Sequence, residues 1–327
     1  KVAIVGGGPS GLTLASILKA VRIPFTVFEL DASASARGQG GMLDIHKSSG
    51  QLALAKAGLL DEFKKRMRVD ATDLYVRDQT GEIRWYHTEK ENPDPERPEI
   101  DRGDLRNLLL SALDEGDVQW GKKLVRAEKE GVAQEGCFSL YFANGSSATG
   151  FNILVGADGT WSRVRPLRSN VPPSYVGMTV AATRITNLDD RLPELAKFVG
   201  NGTCMSVEGK SLVVAQKSGD GSVNVYSFIS VPEDWRETSG IDWSNQRRGL
   251  TEFVERYYSG WGQEAKSLII ECDEGDLAIR PLYRYPPGHR WEKTSAGVTL
   301  LGDAAHVITP FTGEGVNLAM HDAYDLA

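Results

Sequence analysis

The chain has 327 residues, 41% hydrophobic and 25% charged, ordinary globular proportions with length enough for one large domain or two. A net charge of −7 argues against a broad nucleic-acid footprint, and no apolar run approaches the ~20 residues that a membrane span needs. The three cysteines, Cys137, Cys204 and Cys272, are too few and too far apart for a disulfide framework or a zinc site, which points to a reducing, cytoplasmic setting.

Val2 to Val5 is a short apolar run ended by Gly6, the pattern of a strand buried on both faces of a parallel sheet. After Gly11, Leu12, Leu14, Ala15, Ile17 and Leu18 recur at helical spacing, with Ser10 as the expected cap. Gly6, Gly8 and Gly11 therefore fit G-x-G-x-x-G between strand and helix. The first glycine permits the tight turn, the second lets backbone approach a pyrophosphate, and the third lets helix and strand pack closely. A second strand, Phe25 to Phe28, ends at Glu29, whose carboxylate is placed for ribose hydroxyls. The stretch predicts a dinucleotide site, and at this point NAD, NADP and FAD all remain open.

Further along, Lys64, Lys65, Arg66 and Arg68 read as a solvated helix face. The segment Asn92 to Pro98 reads as a loop. Asp101 is the expected cap of a helix that buries Leu105, Leu108, Leu109, Ala112 and Leu113 and carries Arg102 and Arg106 near its start. From about Tyr175 the texture becomes strand-rich: Thr179 to Ile185, Ser211 to Lys217 and Val223 to Val231, with Ser218 to Ser222 joining the last two. In the last strand Val223, Val225, Ile229 and Val231 share one face, expected as core, and Asn224, Tyr226 and Phe228 share the other. Leu250, Phe253, Val254, Tyr257, Tyr258 and Trp261 mark an amphipathic helix packed in the core. A second glycine-and-acid motif, Val298 to His306, follows. The pattern from Val316 to Ala327 predicts a helix with no cap signal, so the natural chain is expected to continue.

Three ordered motifs, GGGPSG with Glu29, Gly156 to Arg165 (GADGTWSRVR), and Gly302-Asp303 through Pro310 to Gly313-Glu314-Gly315-Val316-Asn317, resemble those of the FAD-dependent aromatic hydroxylases typified by para-hydroxybenzoate hydroxylase. Arg37 with Gly41 to Lys47 (GMLDIHK), and Glu99 to Arg106 (EIDRGDLR), make the tetracycline-inactivating monooxygenases the nearest likeness. The resemblance spans nearly the whole chain. It implies an α/β fold: a Rossmann-like FAD-binding domain from residues 1–170 and 286–327, and a smaller, largely antiparallel substrate domain at 171–285. It further implies that Arg37 lies where NADPH acts and that Asp44, Arg102 and Asp303 contact FAD, with Gly6, Gly8, Ser10, Gly11, Glu29, Arg106 and Asp158 completing the non-covalent FAD site.

The physics of the residues agrees with that implication. Asp303 ends a strand, where a carboxylate can hold ribityl or ribose hydroxyls. Pro310, Gly313, Gly315 and Asn317 would surround the flavin ring, and the positive end of the helix opened by Gly315 would stabilise negative charge on the reduced ring. His306 reads as a structural histidine packed beside this loop.

The family chemistry implied is reduction of FAD by NADPH, addition of O2 at C4a to give a flavin hydroperoxide, and transfer of its terminal oxygen to an electron-rich small molecule, with no metal and no protein nucleophile. A second G-x-G-x-x-G is absent, which disfavours two-domain disulfide reductases. A flavin dehydrogenase or halogenase, and a non-enzymatic prenyl-protein escort, remain as alternatives on the same fold. Ala182, Thr203 and Asn224 stand where the tetracycline enzymes carry glutamine, arginine and histidine toward the drug. With Tyr226 and Phe228 they are the expected substrate residues; the replacements argue against tetracycline itself, and the expected substrate is a phenolic, polyketide or tetracycline-like small molecule bound by a monomer.

Overall fold

The computed structural model describes residues 1–36, 38, 40–89, 91–92, 95–130, 137–291 and 296–327. Val2–Val5 lies at the centre of a five-stranded parallel sheet, in the order Val298–Leu300, Ile153–Gly156, Val2–Val5, Phe25–Phe28, Val118–Gln119. All four residues of the central strand are buried because both faces are covered. Ala3 and Val5 pack with Phe138, Leu140 and Phe151 of a three-stranded antiparallel sheet. Val2 and Ile4 pack with Leu14 and Leu18 of the first helix, Pro9–Ala20, and with Ala323 of the last, Gly315–Leu326.

A seven-stranded sheet forms the second layer system. Its order is Ala278–Arg284, Ser174–Ile185, Val223–Ser230, Ser211–Lys217, Thr203–Glu208, Leu74–Asp78, Ile83–His87. All pairs are antiparallel except Thr203–Glu208 with Leu74–Asp78. The sheet is thus wider than the 171–285 segment, drawing two strands from the region before residue 90. One face carries Val223, Val225 and Ile229 against Phe253, Tyr258 and Trp261, as the alternation predicts. The helix there is Gln246–Tyr257; Tyr258 and Trp261 lie just past its end but stay in the core.

Between the sheets sits a two-stranded antiparallel ribbon, Met42–Asp44 with Glu99–Asp101. It is the bridge on which the site is built. Among the described residues no helix is long and apolar enough to cross a membrane.

Three local expectations need correction. Gly8, not Ser10, holds the cap position of the first helix, and Pro9 opens it with the fixed φ that suits a first helical residue. Ser10, one position inside, instead faces Gly302, whose added Cβ would sit 3.0 Å from its Oγ. Asp101 does occupy the cap position of Arg102–Leu110, yet its side chain makes no cap bond and accepts from Gly219 N at 2.9 Å. Arg68 is not part of a solvated helix face, since that helix ends at Arg66 and the Arg68 guanidinium donates to Lys217 O at 2.8 Å. Of the expected loop Asn92 to Pro98, Pro93 and Asp94 lie outside the described residues.

Candidate active site

The glycine turn is held by backbone. A Cβ on Gly6, at φ +108°, would stand 2.1 Å from Ala157 O, and one on Gly11 would stand 2.0 Å from Gly6 O. Gly8 has no atom within 4 Å of its Cβ position, so a ligand can approach the backbone there. Both oxygens of buried Glu29 are fixed, Oε2 by Gly7 N at 2.5 Å and Oε1 by Asp31 N at 2.9 Å. Behind them Arg106 pairs with Asp31 at 3.2 Å and donates to Ala34 O at 3.2 Å. Arg106 Nε is buried with no hydrogen-bond partner among the described residues.

The second and third motifs are clamped together by Arg165. It donates to Thr160 O (2.8 Å), Ala304 O (2.8 Å) and Asp303 O (3.0 Å), fixing the backbone that presents the Asp303 side chain. Asp303 remains open to solvent, but the surrounding protein is enough to push its pKa up, opposed by His306 and Arg102. Asp158 accepts from Arg163 N at 2.7 Å, holding its own loop, while its Oδ1 is buried without a partner among the described residues. His306 bonds Asp322 Oδ2 at 2.6 Å, and the same oxygen accepts from Gly302 N at 2.7 Å. That hydrogen bond raises the His306 pKa, against the effect of burial.

At the end of the third motif, Pro310–Thr312 forms a single 3-10 turn, Gly313 takes φ +68°, and the last helix starts at Gly315. Glu314 makes no side-chain cap bond there, so the first N–H groups of the helix have no side-chain acceptor of that kind. Asn317 is fully buried and ties the ribbon to this helix: Oδ1 accepts from His46 N (2.8 Å), and Nδ2 donates to Asp44 O (2.8 Å). Its side chain therefore braces the ribbon against the start of the last helix. Asp44 accepts from Arg97 Nη2 at 2.7 Å and His46 Nε2 at 3.0 Å. Desolvation works to raise its pKa, but these bonds hold it below the usual carboxylate range. Arg37 lies outside the described residues.

The expected substrate residues share one face of the seven-stranded sheet. Ala182 is opposite Tyr226, and Asn224 is opposite Gln216, which is opposite Thr203. Val180, Val214 and Phe228 form an apolar patch in the neighbouring rows. This face meets the half that carries the glycine motifs at two points. Phe228 contacts Phe311 of the turn edge-on, with ring centroids 5.2 Å apart. Gly41, at the start of the ribbon, approaches Gln216 and Tyr226 so closely that a Cβ would lie 2.8 Å from Gln216 Oε1 and 3.1 Å from the Tyr226 hydroxyl. Asn224 is turned aside to Ser218 Oγ at 3.0 Å. A cavity of 490 Å³ borders the same turn through Thr309 and Thr312 and is walled by Tyr285, His289, Trp291 and His306; none of the substrate-face residues lines it.

Sequence reasoning missed Gln216, Phe311, Arg97 and Arg165 as parts of the site. Alternation along Ser211–Lys217 places Leu212, Val214 and Gln216 on one face and would have found the first. Nothing local marks Arg97 as the partner of Asp44, because 53 positions separate them in the chain.

Residues 1–171 and 289–327 match the family model described as "FAD binding domain". Over its whole length the chain is 30% identical to the protein named monooxygenase penA of Penicillium thymicola, covering 84% of that protein. Among solved structures, 98% of the chain aligns with 77% of Klebsiella pneumoniae HpxO complexed with FAD and uric acid, at TM-score 0.77 and 23% identity. Similarly, 99% of it aligns with 78% of the tetracycline destructase Tet(55), at TM-score 0.73 and 16% identity.

Proposed function

The chain belongs to the FAD-dependent monooxygenases, and from that membership we propose that it spends NADPH and O2 to hydroxylate an electron-rich aromatic small molecule, phenolic or polyketide-like. The observation that carries the substrate half of this reading is the meeting of the sheet face with the ring-end turn through Phe228 and Phe311. A planar compound lying on Val180, Val214 and Phe228 is thereby brought to the end of the cleft where Gly313 and Gly315 stand.

The chain's residues fit FAD. Gly8 leaves the space that a pyrophosphate needs at a helix N-terminus, and the fixed Glu29 carboxylate suits ribose hydroxyls. Asp303, held by Arg165 through its backbone, suits the ribityl chain. The N–H groups of the helix that opens at Gly315 would stabilise the negative charge that reduction places on a flavin ring held there. Bound FAD, reduced by NADPH, supplies the oxygen chemistry. The protein orients the substrate, screens the ring end from water with Phe228 and Phe311, and stabilises reduced cofactor.

Tetracycline is a poor fit. Ala182 offers no hydrogen bond, and Asn224 is already committed to Ser218. The test is a screen of phenolic, polyketide and tetracycline compounds for faster NADPH oxidation by the FAD-loaded protein, with product mass read for one added oxygen atom. The reading requires at least one phenolic or polyketide compound to gain oxygen. Protein that takes up no FAD, or oxidises NADPH without oxygen transfer to any compound, overturns it; a halogenated or dehydrogenated product reassigns the reaction.

A further inference from the structure

The ribbon reaches from the sheet to the ring end. At one end Gly41 abuts Gln216 and Tyr226, and at the other the Asp44 carboxylate lies 3.7 Å from where a Cβ on Gly313 would be. Leu43 and Ile100 turn into the core beneath the first helix, so the alternation of a strand sends Met42, Asp44, Glu99 and Asp101 to the opposite face. Glu99 sits directly across from Asp44. Two of the three acids on this face have donors: Asp101 takes Gly219 N, and Asp44 takes Arg97 and His46. No described residue donates a hydrogen bond to the Glu99 carboxyl.

We propose that Glu99 is a substrate-recognition residue: a neutral carboxylic acid whose O–H is donated to an anionic or carbonyl oxygen of the aromatic substrate, between the sheet face and the ring end. The proposal rests on the monooxygenase reading above and adds to it the chemistry of the group recognised.

Burial pushes Glu99 up to about 8; Asp44 and Asp101 act in the same direction, and Arg68 and Arg97 oppose them. The charged groups around it come from every neighbouring element. The ribbon and its flanks supply Asp44, Arg97 and Asp101, and the segment after Arg66 supplies Arg68; one contact further out, His46 and then Glu314 stand behind Asp44, Asp70 pairs with Arg68, and the Lys217 ammonium is turned away to Asp189. With Asp44 kept ionised by its own donors, a second carboxylate opposite it is disfavoured. A protonated carboxyl gives such a site something an ionised one lacks, a hydrogen-bond donor at neutral pH. Ionised, the same group would repel the substrate oxygen.

The probe is 1-hydroxy-2-naphthoate, a fused-ring monoanion across the range used, titrated into FAD-loaded protein and followed by the flavin absorbance change. For the wild type, Kd should rise about tenfold from pH 7 to pH 9, because the protonated fraction falls from about nine-tenths to about one-tenth. Glu99→Gln keeps a donor that does not titrate, so its Kd should stay near the wild-type pH 7 value at both pH values. Glu99→Ala should bind weakly at both. An infrared band of protonated carboxyl should be present in the wild type at pH 7, be lost by pH 9, and be missing from Glu99→Gln; this measurement needs neither ligand nor cofactor. A Glu99→Gln protein with the wild-type pH slope, no probe binding by an FAD-loaded, NADPH-oxidising wild type, or no such infrared band each overturns the proposal. Failure to load FAD or to transfer oxygen to any compound strikes the functional reading instead, so the two failures are told apart.

Discussion

The glycine turn and the proposed substrate face solve opposite problems. At the turn, Cβ positions on Gly6 and Gly11 fall 2.0–2.1 Å from backbone oxygens, so the residue type is dictated by atoms that cannot move away. On the sheet face, Ala182, Tyr226 and Phe228 contact other side chains, which can be exchanged without disturbing the ladder of backbone hydrogen bonds beneath them. The glycine turn is therefore fixed by backbone geometry, whereas the proposed substrate face is held by the reverse side of its sheet. One fold can then keep its cofactor while its substrate changes.

The largest effect expected at the glycine turn itself is at Gly6. Gly6→Ala meets Ala157 O and also forces an L side chain to φ +108°, a cost of about 3 kcal/mol or more. Thermal unfolding should fall by many degrees and FAD retention should be lost. Gly8→Ala, with open space around its Cβ position, should fold normally and lose only cofactor affinity. Equal stability of Gly6→Ala and Gly8→Ala would break the comparison.

The same contrast explains what the sequence discloses. The turn, the buried strand after Lys1 and the Glu29 terminus were legible because each is a local pattern with a local cause. The face of Val223–Ser230 was legible because pleat alternation is local too. The strands Leu74–Asp78 and Ile83–His87 were not. Every residue of the second is exposed, and the first has no fully buried residue, so neither carries an apolar signature. Ion pairs such as Arg97 with Asp44, and the three-carbonyl clamp of Arg165, depend on chain segments brought together only by folding. What motif alone did not disclose is that Asn317 also braces the ribbon backbone and that Ser10 faces Gly302.

The two faces of one strand sharpen the comparison further. Val225 is fully buried against the helices, so Val225→Asp places an unpaired charge there at a cost of several kcal/mol, about enough to unfold the domain. Phe228→Leu, three residues on and facing the ring-end turn, loses the contact with Phe311 and is expected to cost about 1 kcal/mol. It should leave FAD bound and shift the order of accepted compounds. Circular dichroism and flavin content separate the outcomes. If Phe228→Leu accepts the parental compounds in the parental order, the face is not the substrate wall.

The smallest expected effect concerns the third motif, where His306 and Gly302 share the carboxylate of Asp322. Asp322 raises the His306 pKa in the folded protein above its ordinary value near 6.5. A base whose folded pKa is raised contributes stability that is full below the unfolded pKa and is lost as pH rises through the folded pKa. The window for His306 therefore opens above about pH 6.5 and runs upward. Its side chain is 37% accessible, so solvent screening holds the contribution to about 1 kcal/mol or less. Denaturant midpoints for the wild type should decline slightly across that window. In His306→Gln, which does not titrate, this part of the decline should vanish while the bond from Gly302 N to Asp322 remains. Because the carboxylate also anchors the backbone that begins the Asp303 turn, Asp322→Asn should flatten the pH dependence as well and in addition weaken FAD retention. His306→Gln should not. A wild-type slope left intact in His306→Gln would assign the titration to another group and remove His306 from the stability of the turn.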